Sequence, residues 1–138
     1  MTTMKSELEA LTVLDDRDLD AMAREKAVHY LEHKASQTSI ERLVQALEDE
    51  SFGVRWAAAE ALSKIGEAAL PALLNALINK ADHHWLREGA YHVLYCNSSP
   101  RVQEEATQLR QALVGPAADL TVPVEAFLLL GALQGARP

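Results

Sequence analysis

The chain repeats itself, and this constrains its fold more than any other feature. The segment VRWAAAEALSKIG, Val54 to Gly66, meets LREGAYHVLYCN, from Leu86, at a shift of 32. Arg55 then falls on Arg87, Ala58 on Ala90 and Leu62 on Leu94. Shifted back by 31 it meets AREKAVHYLEH, from Ala23, and the same three residues fall on Arg24, Ala27 and Leu31. A second segment type lies between these. Ile40, Leu43, Val44, Ala46 and Leu47 match Leu70, Leu73, Leu74, Ala76 and Leu77 at a shift of 30. Fainter copies run from Leu8 to Leu11 and at Val122-Pro123-Val124. Apolar residues recur at i, i+3, i+4 and i+7, the stripe of an amphipathic helix. A fixed period of this length marks a stack of supersecondary units.

Composition agrees. The 23 alanines and 21 leucines make nearly a third of the 138 residues, against 12 Val plus Ile. Ala and Leu head the helix scale and β-branched residues are scarce, so the chain reads as all-α. The expected helices are 4–14, 19–33, 39–49, 53–65, 69–80, 83–96, 100–114 and 120–133. Boundary residues support them: Thr38 with Glu41 as a capping box, Pro71 in a first turn, Gly66 as a C-terminal stop, Asp82 and Ser99-Pro100 as starts. One domain covers 1–138, with the clearest repeats at 39–66 and 69–97, weaker repetition over 4–34 and a degenerate or capping unit over 98–138. Val102 and Ala106 can match Val54 and Ala58, making that helix the second type with no first-type helix before it. An Ala/Leu hairpin cannot bury its own apolar face, so the units stack into a short α-solenoid. Ala57-Ala58-Ala59 allow close approach between layers. Arg24, Arg55 and Arg87 are read as structural, reaching loop carbonyls or the acids of Glu48-Asp49-Glu50.

VRWAAAEALSKIG, with its Val-Arg, Ala-Ala, Ala-Leu and Ile-Gly landmarks, resembles the second helix of a HEAT repeat. The unit from Ile40 to Leu77 resembles the short HEAT repeats of the phycobilin-lyase type. The resemblance implies an all-α, right-handed α-solenoid of about four HEAT-like hairpins whose second helices line the binding face.

Val54, Ala58, Leu62 and Ile65 form the buried stripe of that helix, leaving Phe52, Gly53, Trp56 and Glu60 outward. The next layer places His84, Trp85, Glu88 and His92 there, and the previous layer Ala21, Met22, Glu25 and His29. Candidate partner-binding residues are therefore Met22, Glu25, His29, Phe52, Trp56, Glu60, His84, Trp85, Glu88 and His92. Exposed tryptophans flanked by polar groups are what protein interfaces use as anchors.

Other chemistry is not indicated. His84/Glu88, Glu88/His92 and His29/His33 are i, i+4 pairs, each able to offer a metal two ligands only. No metal site and no cofactor are expected. The iron-binding HEAT enzyme deoxyhypusine hydroxylase uses His-Glu dyads, and this chain has no His-Glu dipeptide. Phosphate loops, nucleophile elbows and a Cys–His pair in catalytic context are lacking, so no catalytic residue is assigned. The charge runs at 15–18 and 48–50 read as solvated turns, and Cys96, the single cysteine, as a packed or inert thiol.

A net charge of −7 argues against nucleic acid and anionic membranes as partners. The polar start, MTTMKSELEA, carries no signal-peptide core, and VPVEAFLLLGAL is short for a bilayer span. The expectation is a cytoplasmic, non-catalytic scaffold that binds another protein. The alternative is a phycobilin-lyase-like enzyme or accessory subunit holding a bulky planar ligand between the tryptophans, and a metal-dependent enzyme ranks third. The final helix, apolar nearly all round, should be covered on several sides, which allows a homodimer through the C-terminal helix.

Overall fold

A computed structural model describes residues 5–135. The first expected helix begins at residue 4, outside the described residues. The elements are α1 (Glu7–Asp15), α2 (Ala21–Lys34), α3 (Gln37–Ala46), α4 (Phe52–Ile65), a 3₁₀ turn (Gly66–Ala69), α5 (Leu70–Asn79), α6 (His84–Tyr95), α7 (Pro100–Glu105), α8 (Thr107–Val114) and α9 (Ala118–Gly135). Among the described residues there is no strand.

The helices pack in two layers. In one, α1, α3, α5 and α9 lie side by side; in the other, α2, α4, α6 and α8 do. Between the layers runs one continuous core built from Leu31, Leu43, Leu62, Leu73, Leu94 and Leu109, among others. Alanines at its waist, Ala27, Ala58 and Ala90, have no exposed surface and let neighbouring helices approach.

The last hairpin is wound in the opposite order. The chain enters the second layer through α7 and α8 and only then returns to the first layer with α9, which packs along α5. Val122-Pro123 is thus the first-type helix, as its likeness to Leu70-Pro71 suggests. Pro71 is the sixth residue of the helical run that starts at Gly66, and Pro123 the sixth of α9. Each has an acid at the second position, Glu67 and Asp119.

Local signals explain most boundaries. Ser6, Asp20, Ser36, Ser51 and Ser99 each accept a hydrogen bond from a first-turn N–H. Gly66 ends α4 with φ 88°, a conformation that side-chain-bearing residues avoid, and the 3₁₀ turn then feeds directly into α5.

Several expectations are corrected. Ser36, not Thr38, caps α3, because the chain already turns before Gln37 and its hydroxyl reaches Ser39 N at 3.0 Å. Asp82 lies one residue too early for α6, whose cap position is His83 and has no side-chain cap. The expected helix 100–114 breaks at Ala106, with φ −93° and ψ 8°. Asp49 is not solvated: it is 1% exposed, paired with buried Arg24. Cys96 is exposed rather than packed. VPVEAFLLLGAL belongs to an 18-residue helix, so α9 and the run Phe52–Asn79 are both long and apolar enough to cross a membrane by length and mean hydropathy. The run Phe52–Asn79 is half buried inside the stack and interrupted by Gly66.

Candidate functional site

Arginine at the fourth position of each second-layer helix sets the frame. Arg24 donates through Nη1 to the carbonyl of Leu19. Arg55 donates to the carbonyls of Asp49 at 2.8 Å and Glu50 at 3.2 Å. Arg87 donates to Ala81 at 2.7 Å. These bonds satisfy loop carbonyls that would otherwise be left bare beside the core. Arg110, fourth in α8, donates to the carbonyl of Gln103 in α7 at 3.2 Å. The fourth repeat therefore carries its landmark arginine in α8, and the match of Val102 and Ala106 to Val54 and Ala58 does not set its register.

A groove of about 500 Å³ opens between α4 and α6 and is also lined by Leu113 and Val114 of α8. Its α4 wall carries Phe52 and Trp56, stacked at 6.4 Å between ring centroids and inclined by 23°. The α6 wall carries Trp85 and His92. Arg55 bridges the walls: its guanidinium sits 4.0 Å from the centroid of Trp85 and 5.8 Å from that of Phe52. Cation–π contact holds both rings upright at the mouth. Leu47 also lines the groove. An added Cβ on Gly89 would come within 2.8 Å of Leu47 Cδ2, so glycine lets α6 settle there without displacing that side chain.

The polar residues are arranged in pairs. His92 Nε2 lies 2.8 Å from Glu60 Oε2, and the His92 ring leans on Trp56 at 4.6 Å. His84 Nε2 lies 3.0 Å from Glu88 Oε2, one turn apart on the outer rim. Each histidine thus has its own carboxylate. Among the described residues no group of three or more His, Cys, Asp or Glu side chains is placed to hold a metal ion. Cys96 Sγ is 3.9 Å from His92 Nδ1, a pair the sequence reading missed although it is an i, i+4 pair.

Of the ten residues singled out from the sequence, Phe52, Trp56, His84, Trp85, Glu88 and His92 line the groove. Glu60 stands behind it as the partner of His92. Met22, Glu25 and His29 lie one layer away. Met22 is exposed, the Glu25 carboxylate lies against Gly53, and His29 points to solvent with Nδ1 4.0 Å from Glu32. The sequence reading also missed Arg55, Arg87 and Tyr91 as groove residues. A signal was present: Trp85 occupies the position held by Gly53 in the layer before, so bulk enters the α4/α6 joint where the α2/α4 joint has none.

Trp56 is 51% exposed and Trp85 40%, with Phe52 more exposed than either. Large aromatics held in the open by stacking and cation–π contacts are preorganised to bury against something else.

The sequence profile of HEAT repeats matches residues 8–95. No curated protein and no solved structure matches the chain. The profile match covers most of the chain, and the two-layered stack is its physical counterpart: the chain belongs to the HEAT-repeat family.

Proposed function

We propose that this protein is a non-catalytic interaction module that seats a protein partner in the α4/α6 groove. In this reading the four hairpins form a right-handed superhelix with the second-layer helices on its concave face, and the protein works in the cytoplasm. Nucleic acid and membranes are not its partners. The observation that carries the reading is the trio Phe52, Trp56 and Trp85, all exposed around one groove. Trp56 and Trp85 act as anchors, while the Glu88–His84 pair on the rim and the Glu60–His92 pair beside Trp56 set register.

The test compares groove and core. Trp56→Ala and Trp85→Ala should each weaken capture of the partner by about 2 kcal/mol, some thirtyfold, in a pull-down from the source cells followed by titration of the captured protein. Leu62→Ala, with no exposed surface, should instead cost about 2–5 kcal/mol of stability through a core cavity. If Trp56→Ala unfolds the chain as readily as Leu62→Ala, the tryptophan is core and the proposal fails.

Both indoles line the same groove, which favours a second reading in which a bulky planar ligand lies against them, as the phycobilin-lyase resemblance implies. Saturable quenching of tryptophan fluorescence by a linear tetrapyrrole, lost in Trp85→Ala, would favour that reading over a protein partner.

A further inference from the structure

The outer face of α9 is built differently from the face it corresponds to in α5. With Pro123 set on Pro71, Ala68 of the 3₁₀ turn and Ala72, Asn75, Ala76 and Asn79 of α5 correspond to Leu120, Val124, Phe127, Leu128 and Gly131. At the first four of these positions small or polar residues are replaced by large apolar ones. The inner stripe, Val122, Ala126, Leu129 and Leu133, is buried against the core. The outer stripe is not: Leu120 is 71% exposed, Val124 56%, Phe127 67% and Leu128 58%.

We propose that this face is the interface of a two-fold homodimer, with α9 of one copy antiparallel to α9 of the next. Four observations lead to a second copy rather than another occupant. First, the face is large. At about 200 Å² per fully exposed large side chain, the four residues present roughly 500 Å², over half of the roughly 800 Å² a partner contributes to a standard interface. Leu130, Thr121 and Gln134 flank the stripe and extend it.

Second, the stripe carries no charge. Glu125 is half-buried off to one side, and Asp119 lies at the helix start, so an antiparallel pairing keeps the two Asp119 side chains at opposite ends.

Third, the other edge of the stack does not match it. There α1 exposes a single large apolar side chain, Leu8, beside Thr12 and Asp15. Head-to-tail stacking would set an apolar face on a polar one, whereas a two-fold pairing sets it on itself.

Fourth, Gly131 continues the stripe one turn beyond Phe127 and Leu128. Glycine inside a helix is unfavourable, and an added Cβ at Gly131 would meet nothing within 4 Å. No contact among the described residues requires a glycine there. A second helix crossing closely at this point would make use of one.

Sedimentation equilibrium of the 138-residue chain at concentrations on the order of 100 μM tests this. The expected mass is twice 15.1 kDa. Phe127→Glu with Leu128→Glu should yield a monomer with unchanged helical circular dichroism, the dimer weakened by at least about a hundredfold. Leu129, being buried, is the wrong target. Gly131→Leu improves the helix and makes the face more apolar, so it folds in any case. It should weaken the dimer about tenfold or more by blocking close approach. Three results overturn the proposal: a monomer from the unmodified chain, a dimer that survives both sets of changes, or flotation with lipid vesicles by a chain that is monomeric in solution.

Discussion

The two central joints of the second layer start from the same arginine and end differently. At the α2/α4 joint, Arg24 reaches across to Asp49 at 3.0 Å, and both side chains are more than nine-tenths buried. Gly53 leaves room for the Glu25 carboxylate to lie on the backbone of α4. At the α4/α6 joint, the position of Asp49 is taken by Ala81 and that of Gly53 by Trp85. Arg55, with no carboxylate to meet, turns its face to the indole. The first joint is shut by an ion pair, and the second is wedged by aromatic bulk and holds the groove. In this repeat architecture a binding site arises where one layer departs from the pattern set by the others.

The largest expected effect separates the joints directly. Arg24→Ala leaves Asp49 charged, buried and unpaired, and should cost about 3–5 kcal/mol in urea unfolding. Arg55→Ala removes a half-exposed cation–π contact and two bonds to loop carbonyls, and should cost about 1–2 kcal/mol. Equal losses would mean that the joints are not held differently. The Arg24–Asp49 pair is not a large net stabiliser, since Arg24 Nε and Asp49 Oδ2 find no hydrogen-bond partner among the described residues. It ties α2 to the loop that leads into α4.

Two glycines should respond with opposite sign. A Cβ on Gly89 presses on the Leu47 side chain, with Cβ and Cγ both at 3.3 Å, so Gly89→Ala should destabilise by about 1 kcal/mol. A Cβ on Gly53 meets only the mobile end of Glu25, so Gly53→Ala should stabilise by about 0.5–1 kcal/mol through helix propensity. Chemical unfolding midpoints of the two variants measure both.

The smallest effect concerns pH and the polar half of the molecule. The hydroxyls of Ser36 and Ser39 donate to Glu7 and hold its carboxyl below the ordinary carboxylate range. A lowered folded-state pKa adds stability that is fully present above the ordinary value of 4.5 and is lost as pH falls through the folded value. Glu7→Gln should therefore be less stable than the parent at neutral pH and converge with it in acid. Hydrogen exchange in acid should open α1 and α3 before the aromatic joint.

Much of this was legible in the chain. The arginines, the alanine waist and the Leu stripes lie at fixed spacing because every layer solves the same packing problem. Six groove residues followed from face assignment alone. Three others, Met22, Glu25 and His29, shared the face but not the groove, because the gap between neighbouring helices is set by pairs such as Asp49/Ala81 and Gly53/Trp85. Helical periodicity within one segment does not report such pairs. The break at Ala106 hid Arg110 from the repeat, since a helix interrupted there no longer keeps the spacing of its predecessors. The exposed half of α9 was unreadable for a related reason: periodicity finds a stripe, but a helix apolar on every side offers none to choose.

The reversed order of the last hairpin also bears on how the chain reaches this state. α1 to α4 pack mainly on partners one or two helices away in the chain, so those contacts can close with little loop entropy. α5 packs mainly along α9, and α6, α7 and α8 lie between them. Its apolar flank stays bare until the end of the chain arrives, whether from the ribosome or from denaturant. Folding should start among the early, local hairpins and finish by docking α9, so that α5 is the helix most exposed to off-pathway contacts in the interval.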